Sequence, residues 1–308
     1  MTSPIVVVTG ANGLVGSHTV VALAARGARV RAVVRRLGTA PSAAGVEEHV
    51  GDFGDPAFAA SVVAGADVLV TTVHPLGSDR ERQRRVGLDA TMVIAEAAVS
   101  AGVPLVVHVS TAAVYDRSPG AGDITEDSAL VADDGNDYAV VKRDVDAALA
   151  RLGGTTRVLL RPPAVLGAGG TSVWNTVQPE AIAADGTRRH AIAEQSFAWV
   201  HVDDLAAIAA DLATGVIAVG HDLSAGPVAG ACTPVNVASG PATQRDYLGT
   251  VTAALGVEPT WDDGPAWTGQ VLAERARGWG WTPQVSLDDA LTELSVGLTS
   301  DGAPGVSG

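Results

Sequence analysis

Tyr138 stands four residues before Lys142 in the stretch YAVVK, and Lys142 is the only lysine of the chain. The other nineteen basic residues are arginine. A free tyrosine has a pKa of about 10, too high to exchange protons readily at neutral pH. A nearby ammonium stabilises the phenolate and lowers that value. Residues four apart on a helix share a face, so the pair could form a proton-transfer group. A helical pair without a role is the weaker reading, because an otherwise all-arginine chain places its single ammonium beside one of three tyrosines.

Other elements must position this pair. TGANGLVGSHTV sets Gly10, Gly13 and Gly16 three apart, between an apolar run, IVVVTG, and a helical pattern, SHTVVALAARG. The first glycine permits a tight turn, the second lets a pyrophosphate approach the backbone, and the third lets the helix close on the strand. The helix N-terminus then offers free N–H groups to the phosphates. Further strands are read in ARVRAVVRR, DVLVTTV and LVVHVST, with the helical stretch RVGLDATMVIAEAAVSAG between the last two. Apolar strands alternating with helices predict an α/β fold, a Rossmann-type doubly wound parallel sheet. Residues 1–165 are assigned to the dinucleotide-binding domain. WVHVDDLAAIAADLATG reads as a strand feeding a helix, so the chain is expected to return to the main sheet around 196–230. Residues 166–308 form the smaller, discontinuous substrate-binding domain, and the last dozen residues read as a flexible tail.

Composition narrows the function classes. The net charge of −14 argues against a nucleic-acid or anionic-membrane surface. No apolar run approaches a membrane span. The N-terminus enters an apolar strand almost at once, so no signal peptide is expected. A lone cysteine, Cys232, excludes an internal disulfide and fits a cytoplasmic protein. No His/Cys spacing points to a metal site, and no G-x-S-x-G elbow points to a hydrolase.

The GxxGxxG turn together with YAVVK resembles the short-chain dehydrogenase/reductase superfamily. HVSTAAVY, LLRPPAVLG and FAWVHVDDLA resemble segments of its extended branch, the NAD(P)-dependent epimerase/dehydratase-like family, and the likeness in order runs from about residue 4 to about 295. The resemblance implies that Tyr138 is the general acid. It implies that Lys142 holds the phenol and the nicotinamide ribose together. Thr111, four before Tyr115, would hydrogen-bond the substrate carbonyl, with Ala112 beside it, while Ser110 would face the other side of the strand. Asn12, Leu14 and Val15 would join the three glycines at the cofactor. Asp52 and Phe53 would lie by the adenine, with an ordinary turn aspartate as the equal alternative for Asp52. Val73 and Pro162 would also contact the cofactor.

The second strand ends in Val34, where NAD-binding relatives tend to carry Asp, and Arg35 and Arg36 follow. Guanidiniums fork onto phosphate, so NADP(H) is expected in preference to NAD(H). His74 and Trp174 and Trp199 are candidate substrate contacts; His108 and His201 are read as structural. Ala112–Ala113 replaces the Asp–Glu pair of sugar-nucleotide dehydratases, and Ala164 replaces the Asn that holds a nucleotide diphosphate in epimerases. The expected activity is NADPH-dependent reduction of a ketone or aldehyde on a small apolar or aromatic substrate. A nucleotide-sugar epimerase or dehydratase is the alternative, and a non-catalytic NADP sensor a third. A homodimer is expected through the helical stretches 86–101 and 137–152.

Overall fold

A computed structural model of the chain describes residues 3–73, 75 and 77–301. It begins with β1 (Ile5–Thr9), α1 (Leu14–Ala25), β2 (Arg29–Val34), β3 (Val46–Val50), α2 (Pro56–Val63) and β4 (Val68–Thr71). A short α3 (Arg80–Gln83) runs through a π-helical turn, Arg84–Asp89, into α4 (Ala90–Ser100). Then come β5 (Leu105–Val109), α5 (Asp137–Arg151), β6 (Thr156–Arg161) and β7 (Ala164–Leu166). The second half carries α6 (Gln178–Ala184), β8 (His190–Ala191), β9 (Trp199–His201), α7 (Val202–Ala213) and β10 (Cys232–Asn236). It closes with α8 (Gln244–Leu255), β11 (Thr260–Trp261), α9 (Glu274–Gly278) and α10 (Leu287–Asp301).

Seven strands form one parallel sheet in the order β10-β6-β5-β4-β1-β2-β3. Both faces are covered, which is why its strands read as continuous apolar runs. Alternation sends Val6 and Val8 toward Val20 and Leu23 of α1 and Leu205 and Ile208 of α7. Val7 turns to the opposite core, with Val62 of α2 and Ile94 of α4. Strand order reverses between β1 and β4, and this switch point opens a crevice at the carboxyl ends of the strands.

The doubly wound sheet is as expected, with three differences. β3, VEEHV, escaped the sequence reading because it is a polar edge strand with no buried residue. β9 does not enter the main sheet; it pairs with β7 in a separate two-stranded sheet. The chain rejoins the main sheet only at β10, beside β6, although α7 already lies against α1. His18 of α1 and Asp203 of α7 meet at 2.6 Å, and Arg26 and Asp211 at 2.8 Å. Last, residues 297–301 are helical rather than tail, because Ala290 and Leu294 of α10 are buried against α8 and Trp199. No described helix is long and apolar enough to cross a membrane.

Candidate active site

The glycine turn is built as the sequence requires. Gly10 has φ 69°, and a Cβ there would meet Val73 at 2.7 Å and Thr72 at 2.8 Å. A Cβ on Gly16 would lie 2.0 Å from the Gly10 carbonyl, so α1 can close on β1 only with glycine at that position. The turn forms the floor of a cleft of about 1610 Å³ that reaches into the second lobe. The Leu14 N–H, at the head of α1, donates to Thr171 Oγ1 at 2.9 Å. A turn held open by absent side chains and facing a cleft of this size fits a dinucleotide.

α5 sets the reacting side chains. Asn136 caps it by accepting the Tyr138 N–H at 2.9 Å, and the four-residue spacing then carries Tyr138, Lys142 and Asp146 down one face. Thr111, at the end of β5, accepts the Ala113 N–H at 3.1 Å and is hydrogen-bonded to the Tyr138 phenol. Ser110 also lines the cleft, and its hydroxyl is buried near Asp146. Lys142 is buried and its Nζ donates to the Val109 carbonyl at 2.9 Å. Thr111, Tyr138 and Lys142 all line the cleft.

Burial dominates the electrostatics of the pair. Burial pushes the Tyr138 phenol up; the Thr111 hydrogen bond opposes this, Asp146 adds to it and Arg117 opposes it. Burial pushes Lys142 itself down to about 8, against the pull of Asp146. The hydroxyl of Thr111 and the guanidinium of Arg117 thus both favour the phenolate.

Behind this face lies a buried network. Arg161 pairs with Asp146 at 2.9 Å and donates to the Tyr115 hydroxyl at 2.8 Å, which donates to Asn236 at 2.8 Å. Cutting one member would leave an uncompensated buried charge, which typically costs about 3–5 kcal/mol. Asp146 was missed in the sequence, although its place four residues after Lys142 was a signal. Arg117, Arg161 and Asn236 carried none, because their partners are distant in sequence.

The remaining site residues separate clearly. Asn12, Gly13, Leu14, Val15, Asp52, Phe53, Val73 and Pro162 line the cleft. Asp52 also accepts the Gly54 N–H at 2.9 Å, as a turn aspartate does. Arg35 lines the cleft and Arg36 does not, as expected when successive residues leave a strand on opposite sides. Ala112 is fully buried; the tight turn after Thr111 sends it into the core and Ala113 into the cleft. Trp199 is likewise core, 2% exposed among Ile182, Tyr247 and Leu294, while its neighbour Ala198 faces the cleft. Trp174 does line it, edge-on to Phe197 and Tyr247 with centroids 5.2 and 5.4 Å away. His74 lies outside the described residues. His108 is buried with Nδ1 2.7 Å from Thr71 Oγ1, and His201 bonds Glu293 at 3.0 Å. No group of three metal-ligating side chains occurs among the described residues.

Known proteins share this arrangement to different extents. The model of the NAD dependent epimerase/dehydratase family matches residues 6–222. A ceramide reductase of Caulobacter vibrioides is 32% identical over 210 residues, 66% of this chain and 59% of that protein. Sterol demethylase protein B of Methylococcus capsulatus is 30% identical over 167 residues, 52% of this chain and 51% of that protein. The chain thus spans little more than half the length of these curated relatives. The UDP-glucose 4-epimerase of Thermus thermophilus, solved with NAD, has the same fold, with a TM-score of 0.72 and 22% identity over 97% of this chain and 100% of that one. With its parallel sheet, glycine turn and Thr–Tyr–Lys group, the chain belongs to the NAD dependent epimerase/dehydratase family.

Proposed function

We propose that this protein reduces a ketone or aldehyde group on a small, largely apolar substrate, with NADPH as the reductant. The observation that carries this reading is the half-buried Tyr138 phenol beside Thr111 at the cleft. Burial raises the phenol's pKa, so Tyr138 holds its proton at neutral pH, while Thr111 and Arg117 favour the phenolate that donation leaves behind. Tyr138 Oη gives its proton to the carbonyl oxygen, and Thr111 Oγ1 donates a hydrogen bond to the same atom. The nicotinamide, when bound, supplies the hydride. Lys142 keeps one N–H on Val109 and has two others for the ribose hydroxyls. Gly10, Gly13 and Gly16 would hold the pyrophosphate.

Preference for NADPH rests on Val34 and Arg35, because no acid stands at the strand end to bind the ribose hydroxyls. Glu48, on the neighbouring edge strand, is engaged with the Gly38 and Ala40 N–H groups at 2.6 Å each. The Trp174–Phe197–Tyr247 aromatic group supports an apolar substrate, and the likeness to a protein named ceramide reductase supports reduction.

Sugar-nucleotide epimerisation is the second reading, favoured by the fold shared with a UDP-glucose 4-epimerase. NADPH and NADH oxidation across a panel of aliphatic and aromatic ketones and aldehydes, beside NMR of UDP-glucose and UDP-galactose, tests the choice. Ketone-dependent oxidation of NADPH is expected. Turnover of a UDP-sugar without net cofactor consumption would replace the reductase with the epimerase.

A further inference from the structure

Arg117 acts on the Tyr138 phenol, but the reaction described above places no substrate group on its guanidinium. It follows Tyr115 by two positions, just past the turn capped by Thr111, and lines the cleft with Thr111 and Tyr138. Its guanidinium carbon sits 5.6 Å from the centre of the Trp267 ring, within the range of a cation–π contact.

The ring beneath it is fixed. Trp267 is 5% exposed, and its Nε1 donates to the Gly122 carbonyl at 2.7 Å. The two segments that carry Arg117 and Trp267 are clamped by backbone bonds, from Ile124 N–H to Gln270 O at 2.7 Å and from Leu272 N–H to Ile124 O at 2.8 Å. Gln270 N–H adds a bond to Asp123 at 2.8 Å.

No acid answers this cation. Some arginines find carboxylates, as Arg84 does with Asp144, Arg143 with Asp133 and Arg161 with Asp146; Arg35, Arg82 and Arg85 of the cleft form no ion pair among the described residues, but Arg117 is the one that the phenol of Tyr138 feels. Among the described residues Arg117 makes no ion pair and no hydrogen bond. Its neighbour Asp116 is turned back onto Ser118, at 3.0 Å to the N–H and 2.5 Å to the hydroxyl. The chain holds 34 acidic residues against 20 basic ones. The Arg117 guanidinium, exposed over an indole at the cleft and unpaired among the described residues, has its N–H fork free for a ligand.

We propose that Arg117 on the Trp267 platform is a carboxylate-binding subsite, so that the substrate is a carbonyl compound bearing a carboxylate on its apolar body. A single guanidinium matches a monoanion, whereas a phosphate monoester carries close to two charges. Protein crowding lowers the Arg117 pKa while Tyr138 opposes the fall, so an anion held here lies within electrostatic reach of the reacting phenol. The assignment of that anion to the substrate rests on the reductase reading; the binding of a carboxylate does not.

Calorimetric titration of the NADP⁺-saturated protein with 4-phenylbutyrate and with its neutral analogue 4-phenylbutanamide tests the subsite without turnover. A charge-assisted bond of ordinary strength corresponds to about a 10- to 100-fold preference for the acid. Arg117→Ala is expected to erase that preference and keep amide affinity within about twofold, and Arg117→Lys to retain part of it. Equal affinity for acid and amide in the wild type, parallel losses for both in Arg117→Ala, or no binding of either overturns the proposal. Ketone-dependent NADPH oxidation is scored separately. Its absence with the acid preference intact removes the reductase reading and leaves the subsite, and the converse result removes only the subsite.

Discussion

Lys142→Met is expected to stabilise the protein and stop its chemistry. Burial lowers the Lys142 pKa from 10.5 to about 8. Each pKa unit is worth about 1.4 kcal/mol, so holding this ammonium charged inside the fold costs about 3 kcal/mol at neutral pH. Methionine has similar bulk and carries no charge. It forfeits the 2.9 Å bond to the Val109 carbonyl, a loss of about 1 kcal/mol. The balance is a gain of about 2 kcal/mol, or about 3 °C in Tm for a chain of this size.

The pH dependence follows from the direction of the shift. Between about pH 8 and 10.5 the unfolded chain binds the Lys142 proton and the folded chain does not, so wild-type stability rises across that window. The methionine variant lacks this contribution, and its advantage should be full below pH 8 and gone by about pH 10. Thermal unfolding of both proteins without added cofactor at pH 7, 8.5 and 10 measures it, alongside turnover at pH 7. Turnover should fall by at least ~10². A lower Tm for the variant at pH 7, or an advantage that persists at pH 10, would refute the reasoning. Lys142→Arg keeps the charge in a wider group; it should gain no stability and still lose about 10² in turnover, since misplacement of about 1 Å is that costly.

Three further outcomes are expected. Tyr138→Phe should lower turnover by about 10²–10⁴ while cofactor affinity, read by fluorescence titration, stays within a few-fold; substantial residual reduction would place the acid elsewhere. Arg35→Ala should weaken NADPH binding by about 10- to 100-fold and spare NADH, and equal losses for both cofactors would show that Arg35 does not read the 2′-phosphate. Sedimentation at micromolar concentration should give a homodimer joined through α4 and α5, and a 31.0 kDa species alone would exclude it.

Local chemistry determined what the sequence could declare by itself. The apolar runs of the parallel sheet, the Gly10–Gly13–Gly16 turn and the Tyr138–Lys142 spacing are short-range patterns, and each constrains backbone or side-chain direction within a few residues. Edge strand β3 was illegible because solvent on its exposed surface leaves no apolar alternation to read. Tertiary structure alone decided the rest. A one-residue change of direction sends Ala113 rather than Ala112, and Ala198 rather than Trp199, into the cleft. Strand pairing, a long-range event, puts β10 and not β9 in the main sheet. The influences on Tyr138 come from Thr111, Arg117 and Asp146, and Arg117 rests on Trp267, 150 residues further along the chain. Charge and burial act through space, so no local pattern could have announced that Arg117 acts on the phenol or that it sits over Trp267.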